Sequence, residues 1–393
     1  MADVMSGFGG ADFDQEIAAS PQPGYRALHE SAPVMRMDGM VIVAKHEHVM
    51  STLRNPEQFS SNMDAISIGN IRPLIPLQVD PPGHVKFRRL LDPLFAPKEV
   101  AKLEPEVRRL VNELIDGFVA RGECELSDEF AIPLPCTVFL ALMGLPLEDL
   151  DLFLRFKDDI IRPVGDTPDD AKAVQSATGQ EIYAYFQKIV DARRAEPRDD
   201  LISGFVAAEV EGQRLTDEDI LDISYLFLLA GLDTVTASLT CAVAYLANHP
   251  DRRDAIANDL SLVPAAVEEL LRWETPVPGV PRVAMSDCVI GEEEIKAGDS
   301  VMCLLGAANV DSSEFPDADV VDLERQGNRH LAFGGGVHRC LGSHLARLEM
   351  RVALEELHRR IPDYAIKSGE TPKYTMGIRA VEYLPLVFTP AAS

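Results

Sequence analysis

The chain has 393 residues, of which 46% are hydrophobic and 25% are charged, and its formal net charge is −26. This length and composition indicate a globular protein of one large or two ordinary domains. The negative charge argues against nucleic-acid binding and against docking on anionic membranes. The N-terminal residues have neither a basic nor an apolar signal region, so we expect no signal peptide and no membrane anchor.

The cysteines indicate the compartment. None of the six falls in C-x-x-C spacing, which favours a reduced cytoplasmic protein with mostly buried thiols over a disulfide framework or a zinc site.

The N-terminal part of the chain predicts a hairpin after a loosely ordered segment. Residues 1–30 lack a strong pattern, and we expect them to be loosely ordered. The stretch Val34–Ala44 then reads as two strands that turn at Asp38-Gly39, a dipeptide typical of tight hairpins. A helix is predicted over His46–Arg54.

The next segment, FSSNMDAISIGNIRPLIPLQVDPPGH, is too rich in Ile, Leu and Pro for an ordinary solvated linker. It either packs on the core or lines a ligand pocket, and the sequence leaves both open. From His84 to Ala192 the pattern is helical with short breaks. His84 and Arg88 are spaced i,i+4 on one helix face, where they are solvated charges or clamp an acidic group.

The most apolar stretch predicts a helix from Thr216 to His249, with Thr216 as N-cap and Pro250 as its stop. Its middle, ISYLFLLAGLDTVTASLTCAVAYLA, is apolar on all sides, so a membrane span has to be considered. A central Asp233 and acidic flanks favour instead a helix buried in a large soluble domain.

Within that helix, Gly231 allows a close approach to the backbone, at a cost of roughly 1 kcal/mol relative to alanine. Asp233 followed by Thr234 can relay protons into a dry site. A lone buried acid satisfied by its neighbours is the equally favoured alternative.

The C-terminal third mixes short strands with helices. Strands are predicted over Pro281–Ile290, Glu294–Met302 and Tyr383–Phe388. Helices followed by a few small sheets indicate a mainly helical α+β fold, with a long central helix in a large helical bundle. In the preceding helix PAAVEELLRW, Glu269 and Arg272 are spaced i,i+3; alone, they would be read as a surface ion pair.

The stretch FGGGVHRCLG, residues 333–342, precedes the last long helical pattern and contains Cys340. Cys340 therefore lies where a glycine-rich loop meets a helix N-terminus, an environment that favours a thiolate. That thiolate is a nucleophile or a metal ligand.

The order and spacing of AGLDT, the ExxR helix and FGGGVHRCLG resemble the haem-thiolate monooxygenases of the cytochrome P450 family. The resemblance covers nearly the whole chain, and it implies a single P450-type domain over residues 1–393. It implies that Cys340 is the thiolate ligand of the iron of haem b. It assigns Asp233 and Thr234 to proton delivery to dioxygen. Glu269 and Arg272 match a buried structural pair of the family.

The resemblance also implies further cofactor contacts. Haem propionates would be bound by His84, Arg88, Arg282 and His338. The other positions that match cofactor-binding residues are Ala230, Gly231, Phe333, Gly334 and Gly342. One departure concerns Val320, which stands where the family commonly has an arginine that joins the Glu269–Arg272 pair; Arg325, Arg329 and His330 are the candidates to replace it.

The function implied is the insertion of one oxygen atom from O2 into a small hydrophobic substrate. The chain has no room for a reductase domain, so a separate ferredoxin or flavodoxin with its reductase must supply electrons. A basic patch of Arg339, Arg347, Lys86 and Arg89 is the expected docking site. We expect a monomer. The alternatives are a peroxide-driven oxygenase, a non-catalytic haem-binding sensor, and a cysteine hydrolase that pairs Cys340 with His338 or His344.

The substrate pocket is expected to be aliphatic, which suits a terpenoid, a steroid or a fatty-acid derivative. Arg72 is the one cation near the expected lining. The expected lining residues are Ile66, Ile68, Ile71, Leu74, Ile75, Leu229, Ala230, Val235, Val277, Val280, Met376 and Ile378.

Overall fold

The computed structural model describes residues 11–62, 68–375 and 377–390. The fold is mainly helical with small sheets, which confirms the predicted class. The helices are α1 Ala11–Ala19, α2 Gln22–Ser31, α3 His46–Leu53, α4 Gly83–Leu91, α5 Pro97–Val100, α6 Glu104–Asp116, α7 Pro133–Met143, α8 Leu150–Ile161, α9 Pro168–Ala195, α10 Leu201–Ala207, α11 Asp217–Leu232, α12 Thr234–Asn248, α13 Pro250–Asn258, α14 Val263–Glu274, α15 Leu305–Ala308 and α16 Ser343–Arg360.

The strands are short and form small sheets. They are β1 Val34–Met37, β2 Met40–Val43, β3 Phe59–Ser60, β4 Glu123–Glu125, β5 Glu209–Val210, β6 Gln213–Arg214, β7 Val280–Ala284, β8 Cys288–Ile290, β9 Glu293–Ile295, β10 Ser300–Cys303, β11 Ala365–Ile366, β12 Lys373–Tyr374, β13 Val381–Tyr383 and β14 Pro385–Val387. The largest sheet has the order β1-β2-β10-β7-β3, a second has β11-β14-β4, and three two-stranded ribbons complete the set within the described ranges.

Contacts between Cα atoms divide the chain into two units. Unit 1 is formed by the chain up to Ser60, Pro97–Leu134 and Thr234–Ser393, and unit 2 by Ser61–Ala96 and Pro135–Asp233. Unit 1 contains the five-stranded sheet, the β11-β14-β4 sheet and α16. Unit 2 contains α7 to α11 and the β5-β6 ribbon. The prediction of one domain over the whole chain stays a prediction.

The N-terminal hairpin is confirmed. Strands β1 and β2 pair antiparallel from Val34↔Val43 to Met37↔Met40. The turn residues Asp38 and Gly39 have φ values of +50° and +79°, the left-handed conformation that this turn requires. Strand β2 also pairs in parallel with β10, and this brings the sheet into the core of unit 1.

The expectation of loose order covered residues 1–30, of which residues 1–10 lie outside the described residues; the rest contains α1 and most of α2. Arg379 explains the order: its guanidinium donates to the carbonyl oxygens of Ala18 (2.7 Å) and Ala19 (3.0 Å) and pairs with Glu274. These contacts come from the far end of the sequence, so the N-terminal pattern alone gives no sign of them.

The long apolar helix begins at the predicted N-cap. The Thr216 hydroxyl accepts from the Asp219 backbone N–H (3.1 Å), and the Asp219 carboxylate accepts from the Thr216 N–H (3.0 Å), so both halves of a capping box are present. Residues 217–248 are long and apolar enough to cross a membrane, yet 78% of their apolar window is buried inside the structure. Burial of this extent favours the predicted core helix.

The structure corrects the prediction of one unbroken helix. Helix α11 ends at Leu232 and α12 begins at Thr234, with a bend at Asp233 (φ −106°, ψ −32°). Gly231 weakens the helix just before the bend, and the Asp233 carboxylate is bound by side chains of unit 2 described below.

Helix α16 contains a buried acid, Glu349, to which no role in the predicted site is assigned. Its side chain is 3% exposed, its Oε2 has no hydrogen-bond partner in the described part of the chain, and burial raises the pKa of its carboxyl to about 8. The folded protein therefore retains a proton that the unfolded chain loses near its ordinary pKa of 4.5.

We expect Glu349→Gln to remove this linkage. As pH rises from about 4.5 to about 8, the wild-type free energy of unfolding should fall relative to that of the variant, by roughly 1.4 kcal/mol per pH unit. Thermal melts of both proteins across this pH range test the expectation. The matched control is Glu148→Gln at an exposed site, which should follow wild type. Parallel curves for Glu349→Gln and wild type would contradict the prediction.

Candidate active site

The cysteine loop is held closed by backbone hydrogen bonds. The Cys340 N–H donates to the Phe333 carbonyl (2.9 Å), and the Gly334 N–H donates to the Leu331 carbonyl (2.8 Å). Gly334 and Gly336 have φ values of +67° and +66°. A Cβ at Gly336 would lie 2.0 Å from the Leu53 carbonyl oxygen, so this turn accepts no side chain.

Cys340 differs from the other cysteines in exposure. All six cysteines lie in the described ranges, and among them only Cys340 is exposed. Burial raises the pKa of the Cys124, Cys241 and Cys303 thiols to about 12, so these three stay protonated. Cys340 lies three residues before α16, where the helix N-terminus favours an anion. Its thiolate is thus the accessible sulfur donor among the cysteines.

Phe333 and Arg347 pack together beside this loop. The Arg347 guanidinium carbon lies 4.3 Å from the centre of the Phe333 ring. The same guanidinium binds both carboxylate oxygens of Glu268, at 2.6 and 2.7 Å. Burial would raise the pKa of the Glu268 carboxyl, but hydrogen bonds from His330 and Arg347 hold it at about 2. Arg347 therefore contributes little net charge to the predicted basic patch.

The four expected propionate ligands lie in two pairs. Arg282 is on β7, is 8% exposed and donates from Nη1 to its neighbour Pro281 (2.7 Å); His338 ends a short 3-10 turn of the cysteine loop. Both belong to unit 1. His84 and Arg88 belong to unit 2, one turn apart on α4.

The environment of α4 determines the charge of these two residues. Burial, and then the charge of Arg88, lower the pKa of His84, so its imidazole is neutral at pH 7 and can donate one hydrogen bond. The Arg88 Nε is 2.7 Å from Asp92. Their role as propionate ligands stays a prediction.

Asp233 is bound by two cations that the sequence reasoning missed. Its side chain is 1% exposed and lies 3.2 Å from Arg162 Nη2 and 3.6 Å from Lys157 Nζ. Lys157 is itself 3% exposed, whereas the Arg162 side chain is 28% exposed. A buried carboxylate is thereby paired with one buried cation and with one that reaches solvent. This satisfies the Asp233 charge and leaves a route toward bulk water.

The side chain that lies closest to the Gly231 backbone is that of Phe139. A Cβ at Gly231 would lie 3.3 Å from Cδ2 of Phe139, on α7 of unit 2. The preceding residue, Ala230, is exposed although it lies between Leu229, which is 7% exposed, and the buried Leu232. One face of this buried helix is therefore open at Ala230.

The predicted pocket residues differ widely in burial. Leu74, Ile75, Leu229 and Val235 are buried; Ile68, Val277, Val280 and Ile378 are half-buried; Ala230 and Ile71 are exposed. Ile66 and Met376 lie outside the described residues. Ile71 is 63% exposed, whereas its neighbours Ile68 and Arg72 are bound by Tyr225 and Asp222. The pocket assignment stays a prediction.

The Glu269–Arg272 pair lies in the core of unit 1, not at the surface. Both side chains are 0% exposed, and the guanidinium binds both Glu269 oxygens at 2.8 and 2.7 Å. Arg325 supplies the second guanidinium, with Nε 3.1 and 3.0 Å from the same two oxygens. The Val320 carbonyl accepts from Arg272 (3.1 Å) and Arg325 (2.9 Å). Arg325 is thus the candidate that compensates for Val320.

The comparisons with known proteins agree with this fold and with one another. The family model for cytochrome P450 matches residues 148–360. The steroid C26-monooxygenase of Mycolicibacterium smegmatis is 35% identical over 94% of this chain and 92% of that protein. Among solved structures, cytochrome P450 CYP109Q5 from Chondromyces apiculatus has a TM-score of 0.88 at 37% identity, covering 96% of this chain and 97% of that one. CYP109E1 from Bacillus megaterium, solved with testosterone, has a TM-score of 0.88 at 28% identity, covering 95% and 99%.

The matches to the Mycolicibacterium smegmatis relative and to the two solved structures span nearly the full length of both chains, so they apply to the whole chain. The protein is a haem-thiolate monooxygenase whose cofactor is haem b. It belongs to the cytochrome P450 family. It therefore uses O2, an organic substrate and a redox partner.

The residues of the chain fit haem b on two independent observations. Cys340 provides an exposed sulfur on a loop in which the backbone at Gly336 packs directly against Leu53. Ala230 leaves the central helix open beside Asp233 and Thr234. A thiolate is the iron ligand that this cofactor needs, and an acid beside an alcohol is a pair that can deliver protons to it.

Proposed function

We propose that this monooxygenase hydroxylates a small, mostly apolar molecule of the steroid or terpenoid class, with Cys340 as the iron ligand. The thiolate-ligated haem, when bound, supplies the chemistry of O–O cleavage and oxygen insertion. The observation that carries the proposal is the exposed Cys340 in its closed glycine loop. Cys340 donates its sulfur, and the residue is exposed. We propose Arg282, His338, His84 and Arg88 as the groups that bind the propionates.

The substrate class is supported by the aliphatic character of the predicted pocket and by two relatives. The Mycolicibacterium smegmatis relative is named for steroid oxidation, and the Bacillus megaterium structure contains testosterone. A titration of the purified protein with steroids, terpenoids and fatty acids, read as the haem spin-state shift, tests the class. Saturable shifts with fatty acids alone would overturn it.

Proton delivery is assigned to the chain's own residues. The Thr234 hydroxyl holds and passes a proton beside the open face at Ala230. Asp233, the preceding residue, takes up a proton from the solvent side and passes it to this hydroxyl, and between these steps its carboxylate pairs with Lys157 and Arg162. Because the Arg162 side chain is partly exposed and Lys157 is not, the route to solvent runs through Arg162.

We expect Thr234→Ala to uncouple oxygen consumption from product formation and to release peroxide, because the hydroxyl that directs the proton is lost. The ratio of product to oxygen consumed should fall severalfold, while substrate binding is unchanged. The measurement is parallel oxygen electrode and product analysis. Thr234→Ser retains the hydroxyl and should keep wild-type coupling. Unchanged coupling in Thr234→Ala would remove Thr234 from the route.

A separate ferredoxin is the proposed electron donor. Of the four predicted basic docking residues, Arg347 is neutralised by Glu268, Arg89 lies 3.7 Å from Glu211, and Lys86 lies over the Phe87 ring at 4.5 Å. Arg339 is exposed and adjacent to Cys340. We therefore assign the leading electrostatic contact with an acidic ferredoxin to Arg339.

We expect Arg339→Glu to lower the rate of reduction by ferredoxin severalfold at low salt, because the charge facing the acidic partner is reversed. Chemical reduction by dithionite should be unchanged. Stopped-flow reduction at low and high salt measures both. Arg109→Glu, at an exposed position on α6, is the matched control. An equal loss in the two variants would contradict the assignment.

We also propose that residues 1–393 form a single P450 domain and that the protein is a cytoplasmic monomer. The proposal is supported by relatives of similar length in bacteria and by the burial of the apolar central helix. Size-exclusion chromatography with light scattering tests the monomer.

A further inference from the structure

Unit 2 contains a polar cluster around Asp222, which lies on α11 on the N-terminal side of Asp233. The Asp222 carboxylate, 3% exposed, accepts from Arg72 Nε at Oδ2 (2.9 Å) and from the Tyr183 hydroxyl at Oδ1 (2.9 Å). The Arg72 guanidinium carbon also lies 5.1 Å from the centre of the Tyr183 ring. Both carboxylate oxygens are therefore used, and one edge of the guanidinium is fixed.

The other edge of Arg72 is not satisfied. Its Nη2 is buried and has no acceptor among the residues that the structure describes. A buried donor of a charged group costs free energy unless an acceptor meets it. Both Asp222 oxygens already accept a hydrogen bond, and the Arg72 side chain is 28% exposed, so the acceptor for Nη2 is a water molecule or a bound ligand.

The segment that contains Arg72 is held in place. The Tyr225 hydroxyl donates to the Ile68 carbonyl (2.7 Å). A Cβ at Gly179 would lie 2.0 Å from the Gly69 carbonyl oxygen, so the backbone of Gly69 packs directly on α9. Arg72 therefore presents Nη2 from a fixed position, which reduces the entropic cost of binding a ligand there.

Helix α11 relates this donor to the open face at Ala230. Asp222 and Ala230 are eight residues apart on the helix, which corresponds to about 12 Å at 1.5 Å per residue. Leu226 and Leu229 follow Asp222 at i+4 and i+7, so the helix face between the two points is apolar. A ligand along this face meets a donor at one end and apolar side chains along its length.

We propose that Arg72 is a specificity-determining residue that donates a hydrogen bond from Nη2 to a carbonyl or carboxylate oxygen of the substrate. The substrate is then an elongated apolar molecule with this acceptor at one end, and oxidation occurs toward the other end, near Ala230. The inference rests on the proposed function, in which Ala230 flanks the reacting position. A ketone of a steroid and the carboxylate of a fatty acid supply the same acceptor chemistry.

The test compares ligand pairs that differ in the acceptor alone: androstanone with androstane, and dodecanoic acid with dodecane. Dissociation constants are measured by the haem spin-state shift. One of the two pairs should match the substrate. In the wild type, the oxygenated member of that pair should bind at least about tenfold tighter than its hydrocarbon, because a hydrogen bond to a charged group contributes that much affinity. The pair that shows this advantage distinguishes the steroid from the fatty-acid source.

Two substitutions of Arg72 remove the donor. Arg72→Lys keeps a cation for Asp222 but places no nitrogen at the Nη2 position, and Arg72→Met removes the charge as well. In both, the advantage should fall to within about twofold while the affinity for the hydrocarbon is unchanged. Tyr183→Phe removes the other hydrogen bond of Asp222 and should retain the advantage. A purely structural role for Arg72 would weaken both members of a pair equally, and that result would overturn the inference.

The reduced carbon monoxide spectrum distinguishes a failure of the proposed function from a failure of the Arg72 assignment. If the wild-type protein lacks the thiolate-type Soret band, the proposed function is contradicted. If the wild type shows that band but the preference for the acceptor persists in Arg72→Lys, only the assignment of Arg72 is contradicted.

Discussion

We expect the replacement of Cys340 with serine to abolish oxygen-dependent turnover and the thiolate-type spectrum while the protein remains folded. The reason is that the exposed Cys340 sulfur is the only accessible thiolate donor among the six cysteines, and serine offers a weaker, harder oxygen donor in its place. Product analysis with a ligand that shifts the spin state, together with far-UV circular dichroism, measures activity and fold separately.

The matched control is Cys288→Ser, which changes a half-buried thiol on β8. This variant should retain wild-type turnover and spectrum. Retained turnover in Cys340→Ser, or equal losses in the two variants, would contradict the assignment of Cys340.

The second large effect is on stability and concerns Arg272. Arg272→Ala leaves the fully buried Glu269 without its closest cation. It also removes the donor to the carbonyl oxygens of Asn309 (2.8 Å), Ala318 (3.0 Å) and Val320 (3.1 Å). Breaking a buried ion pair from one side costs about 3–5 kcal/mol, so we expect a large fall in the midpoint of chemical denaturation and poor haem retention.

The control for this effect is Arg109→Ala. Arg109 pairs with Glu106 and Glu113 on the exposed face of α6, where such pairs contribute about 0–1 kcal/mol. Urea titrations of both apoproteins give the comparison. A loss for Arg272→Ala no larger than that for Arg109→Ala would show that the buried network does not stabilise the fold.

Local patterns predicted much of this structure. The turn at Asp38-Gly39, the cap at Thr216 and the position of Cys340 before a helix all depend on residues within a few positions of one another. Such signals are visible in one sequence because hairpin turns and helix caps are fixed by the local backbone. The fold class followed from the order of these elements.

The side chains that the sequence did not reveal act over long separations. Arg162 and Asp233 are 71 residues apart, and Arg325 and Glu269 are 56 residues apart. Lys157 stands among the acids and apolar residues of LDLFLRFKDDII in α8, a pattern typical of any amphipathic helix. Arg162 follows this helix and precedes an acidic stretch. Its positive charge at that position was the one feature of the sequence that could have indicated a partner for Asp233.

The bend at Asp233 and the exposure of Ile71 were missed for a related reason. Gly231 predicted a close approach, but hydropathy cannot distinguish a bent apolar helix from a straight one. The composition of an Ile-rich segment predicts a buried core or a pocket lining, but it does not show which side chain faces outward. Ile71 is mostly exposed, while its neighbours Ile68 and Arg72 bind Tyr225 and Asp222.

The central claim is that Cys340 binds haem iron through its thiolate. The most direct measurement is the absorption spectrum of the purified, reduced wild-type protein under carbon monoxide. We expect the red-shifted Soret band of a thiolate-ligated haem in the wild type and its loss in Cys340→Ser. A red protein whose wild-type carbon monoxide complex lacks that band, or whose band persists in Cys340→Ser, would contradict it.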